Sequence, residues 1–381
     1  MAKPGGPGCN LACAYCYYLP KAGMFSPQAP GPMSEELLGS FIRQRLELSP
    51  GPVTHFEWHG GEPTLLGLDY FRRIVALQRT HCPPGRTISN GLQTNGTLLD
   101  DAWGRFLRRE GFSVGLSLDG PAACHDAHRQ SSAGKTTHRL VIRTLQLLQR
   151  HGVHCDVLCV LHAGNSSTPL PVYHYFRDLG ITHLQFLPLV EPGGRRLGAT
   201  AEAIGDFLCR VFDDWIRHDL GRMVVQNFDE AFRTACGLPH VLCTFRETCG
   251  DVVVLEHEGS AFACDHFVDP EHLLGNLSQQ SLGELLGHPA LEAFGLQKRE
   301  GLPGRCRACE VLPWCNGGCP KDRFLVEASG EPGVNYFCAG YRRFFRHSRP
   351  TLMRLAAHLK EGRPLGTFLK ISGRHPGLPQ S

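Results

Sequence analysis

The chain has 381 residues, 42% hydrophobic and 20% charged, which is enough to bury one large core or two modest ones and too apolar for a disordered chain. Thirty-nine basic against 36 acidic residues leave a formal charge of +3, so long-range electrostatics give no ground for nucleic-acid or membrane binding. No apolar run approaches a membrane span, and the 17 cysteines, an odd number gathered at metal-ligand spacings, point to reduced thiolates rather than a disulfide scaffold.

In chain order, the first element is the weakest. Only Met1 to Gly8 precede the first cysteine, and Pro4, Gly5, Gly6, Pro7 and Gly8 make a poor strand. The expectation is a missing first strand: either the true start lies upstream, or the second strand has an exposed edge that something else must cover. So short a lead leaves no room for a secretory signal, and the cytoplasm is the expected compartment. Next comes Cys9-Asn-Leu-Ala-Cys13-Ala-Tyr15-Cys16. Three thiolates at this spacing leave one iron of a cubane iron-sulfur cluster without a protein ligand, a vacancy for a small molecule. A zinc knuckle or a set of buried thiols is the alternative, although zinc wants a fourth ligand close by.

β-rich runs then alternate with amphipathic ones, the arrangement that builds parallel sheets. Strands are expected at about 53–58, 87–93, 113–118, 153–161 and 183–189. Helices are expected near 68–80, 98–110, 136–151 and 170–179, the third carrying Leu140, Ile142, Leu145, Leu147 and Leu148 at helical spacing. With a short strand before Cys9 this makes an open, partial barrel, whose active site belongs beyond the carboxyl ends of the strands. The polar motifs fall there. His59-Gly60-Gly61-Glu62-Pro63 follows the second strand, Thr94-Asn95-Gly96-Thr97 the third, and Ser117-Leu118-Asp119-Gly120 ends the fourth. The glycines allow close backbone approach and Glu62 offers a carboxylate to an ammonium, although the same run also makes an ordinary strand-to-helix turn. Ser117 and Arg129 are placed to meet a ribose or carboxylate, or else are a strand-end hydroxyl and a surface charge. His59 faces a substrate or packs beneath its turn.

Residues 199–235 read as helices bridging to a second cysteine-rich region: Cys243, Cys249, Cys264, Cys306, Cys309, Cys315, Cys319 and Cys338. Eight thiolates make two four-ligand clusters, or a pair of zinc sites. Val252–Glu256 and Ala261–Asp265 flank a turn and read as a hairpin, which brings Cys264 back towards Cys249. Asp265, directly after Cys264, is the candidate general base, with a hydrogen-bonded strand-end aspartate as the plain alternative. Cys82, Cys124, Cys155, Cys159, Cys209 and Cys236 share no spacing, and buried free thiols account for most of them. The expected domains are 1–235, a barrel with bridging helices; 236–340, the cysteine-rich domain; 341–362, a C-terminal helix; and 363–381, a loose tail.

Taken together, these residues resemble the anaerobic sulfatase-maturating enzymes, radical S-adenosylmethionine (SAM) proteins with a C-terminal SPASM domain. The likeness runs from about residue 3 to 360. It is carried by Lys3-Pro4, CxxxCxxC, Gly60-Gly61-Glu62-Pro63-Thr64-Leu65, Leu92 to Thr97, Gly115 to Pro121, Leu184-Gln185-Phe186, Cys264-Asp265 and Asn335-Tyr336-Phe337-Cys338. The resemblance implies an α/β fold, a partial (β/α)6 barrel with a SPASM domain binding two auxiliary clusters. It implies three [4Fe-4S] clusters in all. Cys9, Cys13 and Cys16 would hold the SAM-cleaving cluster; Cys243, Cys249, Cys264 and Cys319 the first auxiliary one; Cys306, Cys309, Cys315 and Cys338 the second. Tyr15, Gly61, Ser117, Arg129 and Val190 would line the SAM site. The departures are the short first strand and His59, where some relatives carry glutamine.

The reaction so implied takes a hydrogen from the β-carbon of a cysteine or serine in a sulfatase Cys/Ser-x-Pro-x-Arg segment, using a 5′-deoxyadenosyl radical. Asp265 removes the thiol or hydroxyl proton, an auxiliary cluster takes the second electron, and the product is Cα-formylglycine. Reduced flavodoxin or ferredoxin would supply electrons to a monomeric enzyme. The rivals are a SPASM enzyme that forms thioether or carbon-carbon crosslinks in another peptide, and a non-catalytic electron carrier or zinc-binding adaptor.

Overall fold

The computed structural model describes residues 1–24, 31–190, 197–326 and 330–372. In chain order the strands that matter here are β1 (Ala2–Lys3), β2 (Val53–Trp58), β3 (Thr87–Thr94), β4 (Phe112–Ser117), β5 (Cys155–Leu161), β6 (His183–Pro188), β7 (Val224–Val225), β8 (Val254–Glu256), β9 (Ser260–Phe262) and β10 (Leu273–Asn276). The main helices are α1 (Glu35–Leu48), α2 (Gly67–His81), α3 (Asp101–Arg109), α4 (His138–His151), α5 (Pro169–Asp178), α6 (Ala201–His218), α7 (Gln226–Ala235), α8 (Pro289–Glu300) and α9 (Cys338–Lys360). The chain packs as two compact units: Met1–Leu158 with Cys249–Gln297, and Cys159–Thr248 with Lys298–Ser381.

In the first unit, β1 to β5 run parallel in sequence order, each paired with the next up to Ser117 against Leu158. The expected loss of the first strand is corrected here. Ala2 and Lys3 form a strand, both fully buried, with Ala2 opposite Trp58 on one side and Leu255 on the other. The exposed edge does not arise, because β8 pairs parallel with β1 and continues through the antiparallel β9 and β10. Proline and glycine disfavour a strand from Pro4 onward, yet two residues suffice when both neighbours supply partners. The β8–β9 hairpin has Val254 opposite Phe262, a register that runs Cys264 back towards Val252.

The helices on this sheet start and stop for local reasons. Ser34 caps α1 by accepting the Leu37 N–H at 3.2 Å, Asp100 caps α3 through Trp103 at 3.0 Å, and α4 ends where Gly152 turns left-handed at φ 64°. Between helices and sheet lies a core that includes Phe41, Phe56, Trp58, Phe71, Trp103, Phe106 and Phe112. No helix was expected at α1, although Ser34-Glu35-Glu36 before Leu37 and Leu38 is a cap signal.

In the second unit β6 and β7 pair parallel, and α9 packs along α6 and α7 around Phe212, Trp215, Phe228 and Phe344. Within the expected loose tail, Leu365–Ser372 is helical, and 373–381 lies outside the described residues.

Candidate active site and cysteine clusters

The loop of Cys9, Cys13 and Cys16 leaves β1 and is laced to three strand ends of the first unit. Gly61 N–H donates to the Gly6 carbonyl at 2.9 Å and Glu62 N–H to that of Gly8 at 2.8 Å. A Cβ on Gly61 would overlap the Pro7 and Gly8 carbonyl oxygens, so only glycine permits this approach. From β3, Asn95 Nδ2 reaches Asn10 Oδ1 at 2.9 Å and Cys9 Sγ at 3.8 Å, while Asn10 donates to Thr97 Oγ1 at 2.8 Å. On the far side Ala12 N–H donates to the Gln130 carbonyl and Ala14 N–H to that of His128.

Glu62 differs from the expected ammonium receiver. It is 2% exposed and turned inward, where Oε1 accepts from Thr64 N, Thr64 Oγ1 and Thr94 Oγ1 and Oε2 from Asn95 N. Four donors commit the carboxylate to tying the β2 and β3 ends together. Arg129 likewise is no surface charge. Its Nε and Nη2 donate to Asp119 at 2.9 and 3.3 Å, Tyr15 OH donates to the same carboxylate, and the guanidinium lies 5.4 Å from the Tyr15 ring centre. Burial alone would raise the Asp119 carboxyl, but Arg129 and the hydrogen bonds hold it below its usual range. Asp119 was quoted in the sequence only as part of its strand-end motif, yet it fixes both Tyr15 and Arg129. Ser117 ends β4, its Oγ accepting from Gln93 at 3.3 Å, and Val190 follows β6 in the second unit.

Asp265 sits after the β8–β9 hairpin. Tyr17, one residue beyond Cys16, donates to Asp265 Oδ2 at 2.8 Å and stands 4.5 Å from the His266 ring. Burial pushes the Asp265 carboxyl up, but His266 and Lys3, with the Tyr17 bond, bring it below the usual carboxylate range. His59 Nδ1 accepts the Gly60 N–H at 2.8 Å, leaving Nε2 to carry the proton of the neutral ring, and burial lowers its pKa. Beneath lies a buried cation. Lys3 Nζ is 3.4 Å from Glu256 Oε1 and 3.7 Å above the Tyr18 ring, and Tyr18 OH donates to Glu256. The run Cys16-Tyr17-Tyr18 was the only sequence signal for these two tyrosines.

The donor sets suit iron-sulfur groups. Cys9, whose Sγ accepts the Leu11 N–H at 3.3 Å, is pushed up to about 11 by burial, so the bare thiol stays protonated at neutral pH. In the second unit Cys306, Cys309, Cys315 and Cys338 line one cavity of about 260 Å³, and burial with the Cys338 and Cys306 charges pushes Cys315 up to about 12. Four thiols lining one space are the kind of donor set an iron-sulfur cluster takes. Cys243 and Cys319 also belong to that unit, where burial pushes Cys319 up to about 12 with a small addition from Cys243, whereas Cys249 and Cys264 belong to the first. All 17 cysteines are free of disulfides; among those without shared spacing, Cys159 and Cys209 are buried, Cys236 is exposed and the others are half-buried.

The radical SAM superfamily model matches residues 4–170, and the SPASM iron-sulfur cluster-binding domain matches residues 243–310. A serine-type anaerobic sulfatase-maturating enzyme of Bacteroides thetaiotaomicron is 39% identical over 92% of this chain and 89% of its own. The chain belongs to the anaerobic sulfatase-maturating enzymes. A cysteine-type maturase of Clostridium perfringens is 32% identical over 94% of this chain and 98% of its own. The solved structure of native anSMEcpe with bound AdoMet and the Kp18Cys peptide superposes with a TM-score of 0.85, at 32% identity, over 94% of this chain and 98% of that one. The maturase fold is thus the radical SAM barrel with a SPASM domain. Streptococcus suis SuiB shares that fold at 15% identity and a TM-score of 0.60.

Proposed function

We propose that this maturase oxidises the β-carbon of a cysteine or serine in a sulfatase Cys/Ser-x-Pro-x-Arg segment to Cα-formylglycine, with Asp265 as the general base. The observation that carries the reading is the Tyr17–Asp265 hydrogen bond, which ties the segment after Cys16 to the hairpin that bears Cys264. Its domains are those of SAM and [4Fe-4S] chemistry, which supplies one-electron cleavage of the sulfonium and the hydrogen-abstracting radical. Cys9, Cys13 and Cys16 would hold the SAM-cleaving cluster. Cys306, Cys309, Cys315 and Cys338 would hold one auxiliary cluster, and the family resemblance assigns Cys243, Cys249, Cys264 and Cys319 to the other.

The chain's own residues position and take protons. Asp265 is ionised and acceptor-only, oriented by Tyr17, and takes the proton of the substrate thiol or hydroxyl. By the family resemblance Tyr15, Gly61, Ser117, Arg129 and Val190 would line the SAM site; Asp119 holds the first and fourth of these in place, and Gly61 keeps the Cys9 loop close. Reduced flavodoxin or ferredoxin is the electron source for a monomer working in the cytoplasm, a reading that cysteines without disulfides support. Among the described residues no helix is long and apolar enough to cross a membrane.

The test is an oxygen-free incubation of iron-replete, dithionite-reduced protein with SAM and the cysteine and serine forms of such a peptide, read by mass spectrometry. Aldehyde with 5′-deoxyadenosine is the expected result. Deoxyadenosine with unchanged peptides would move the enzyme to another peptide chemistry, and neither product would overturn the catalytic reading. Asp265→Asn with full iron should still release deoxyadenosine but lose aldehyde formation by roughly 10²-fold or more. Parent-rate aldehyde would remove Asp265 as base.

A further inference from the structure

We propose that the exposed arginine face of α9, beside the cavity of Cys306, Cys309, Cys315 and Cys338, docks a small acidic protein that carries single electrons; this rests on the function proposed above. The helix holds Arg342, Arg343, Arg346, Arg349, Arg354 and Lys360, and no aspartate or glutamate. At ~100° per residue, Arg342, Arg346, Arg349 and Met353 fall within a sector of roughly 60°. An adjoining side buries Tyr341, Phe344, Phe345, Leu352 and Leu355. A third side is neutralised, since Arg343 donates to Asp206 at 3.0 Å and His347 pairs with Asp213 at 2.7 Å, both acids on α6.

On the exposed side the only acid holding these cations among the described residues is Glu310, which accepts from Arg342 at 3.1 Å and also from Arg346. Arg349 is exposed and forms no ion pair among the described residues, and the stripe ends on Met353, 46% exposed. An ordinary solvated helix face mixes signs, because like charges at i,i+4 repel. An excess of cations kept together is relieved by a negative partner.

Its place says which partner. Glu310 directly follows Cys309, α9 begins at Cys338, and Arg305 and Arg342 line the same cavity as the four cysteines. A protein with an acidic rim around its own redox group would be steered by this stripe so that its group faces the cavity mouth. Exchange is one electron at a time: the reduced carrier loses one and the enzyme gains it, and the electron released when the substrate is oxidised returns by the reverse step. A nucleic acid would need the charge but not the cysteines.

The test titrates holoenzyme into fluorescently labelled oxidised flavodoxin and follows anisotropy between ~20 and ~300 mM salt. Arg346→Glu with Arg349→Glu should weaken binding roughly tenfold or more at low salt and flatten the salt dependence. Arg139→Glu, an exposed position on α4, should change it less than about twofold. Dithionite-driven deoxyadenosine formation by the double variant should stay at the parent rate. If the glutamates prevent folding, Arg346→Gln with Arg349→Gln carries the same test with a smaller loss. Equal affinity of parent and double variant, no binding by the parent, or an oligonucleotide held more tightly than flavodoxin would each overturn the docking face. Failure of the parent to form deoxyadenosine with dithionite tells instead against the proposed function, and binding still decides the docking.

Discussion

Replacing Asp119 by asparagine removes one charge from a pair with almost no solvent to fall back on. Its side chain is 0% exposed and that of Arg129 10%. Both carboxylate oxygens accept from the guanidinium, so whichever becomes the amide NH2 in Asp119→Asn faces an N–H donor. Breaking one partner of such a buried pair costs about 3–5 kcal/mol, with little discount for solvent screening. The cost should fall on the cysteine loop, because the backbone beside Arg129 accepts the amides of Ala12 and Ala14 at 2.8 and 2.9 Å. At ~1.4 kcal/mol per tenfold, exchange of those two amides should accelerate by roughly 10²-fold or more, read by hydrogen-exchange mass spectrometry under anaerobic conditions. Asp119→Leu with Arg129→Met removes both charges and should restore most of the protection. The sign with pH follows from the depressed carboxyl. Its folded value lies below the ordinary 3.8, so the pair stabilises fully above that value and loses its contribution as pH falls through the folded one. The gap between parent and Asp119→Asn should therefore be flat at neutral pH and close only below pH ~4. Unchanged exchange at Ala12 and Ala14, with full iron, would refute the claim that this pair holds the loop.

Gly61→Ala should lose about one cluster's worth of iron and all deoxyadenosine formation, because the new Cβ displaces the Pro7–Gly8 carbonyls from the cysteine loop; retained iron and turnover would contradict that. Lys3→Met leaves Glu256 buried without its cation and should destabilise by about 3–5 kcal/mol in thermal unfolding, whereas Lys3→Met with Glu256→Gln should recover most of the loss. Glu230, 1% exposed, accepts from His240, Val241 and Leu242 just before Cys243; burial raises its carboxyl, but the His240 and backbone bonds hold it below its ordinary 4.5. Glu230→Gln should thus lower the thermal midpoint by the equivalent of about 1.5–3 kcal/mol above pH ~4.5, a difference that shrinks as pH falls below it.

The chemistry of this chain was readable one residue at a time where it rests on spacing within a loop. CxxxCxxC and Cys306-Arg-Ala-Cys309 mark candidate ligands because a short loop can wrap only so many ways around a metal. The β2 to β6 strands and the helices between them followed from period alone, since one face of each must be buried. The first strand did not. Its two residues carry too little pattern, and it exists because β2 and β8, residues apart by about half the chain, offer hydrogen bonds on both sides.

Side-chain direction was likewise undecided by sequence. Glu62 could receive an ammonium or close an ordinary turn, and is spent on Thr64, Thr94 and Asn95; Arg129 could be a surface charge or a cofactor contact, and is held by Asp119. Such pairings cannot be read from a linear order, because a carboxylate takes whichever donors the strand ends bring within about 3 Å of it. The sequence by itself determined which residues could bind iron and which could move a proton. Tertiary structure decided which were already engaged, and so placed Tyr17 against Asp265 across 248 positions of chain.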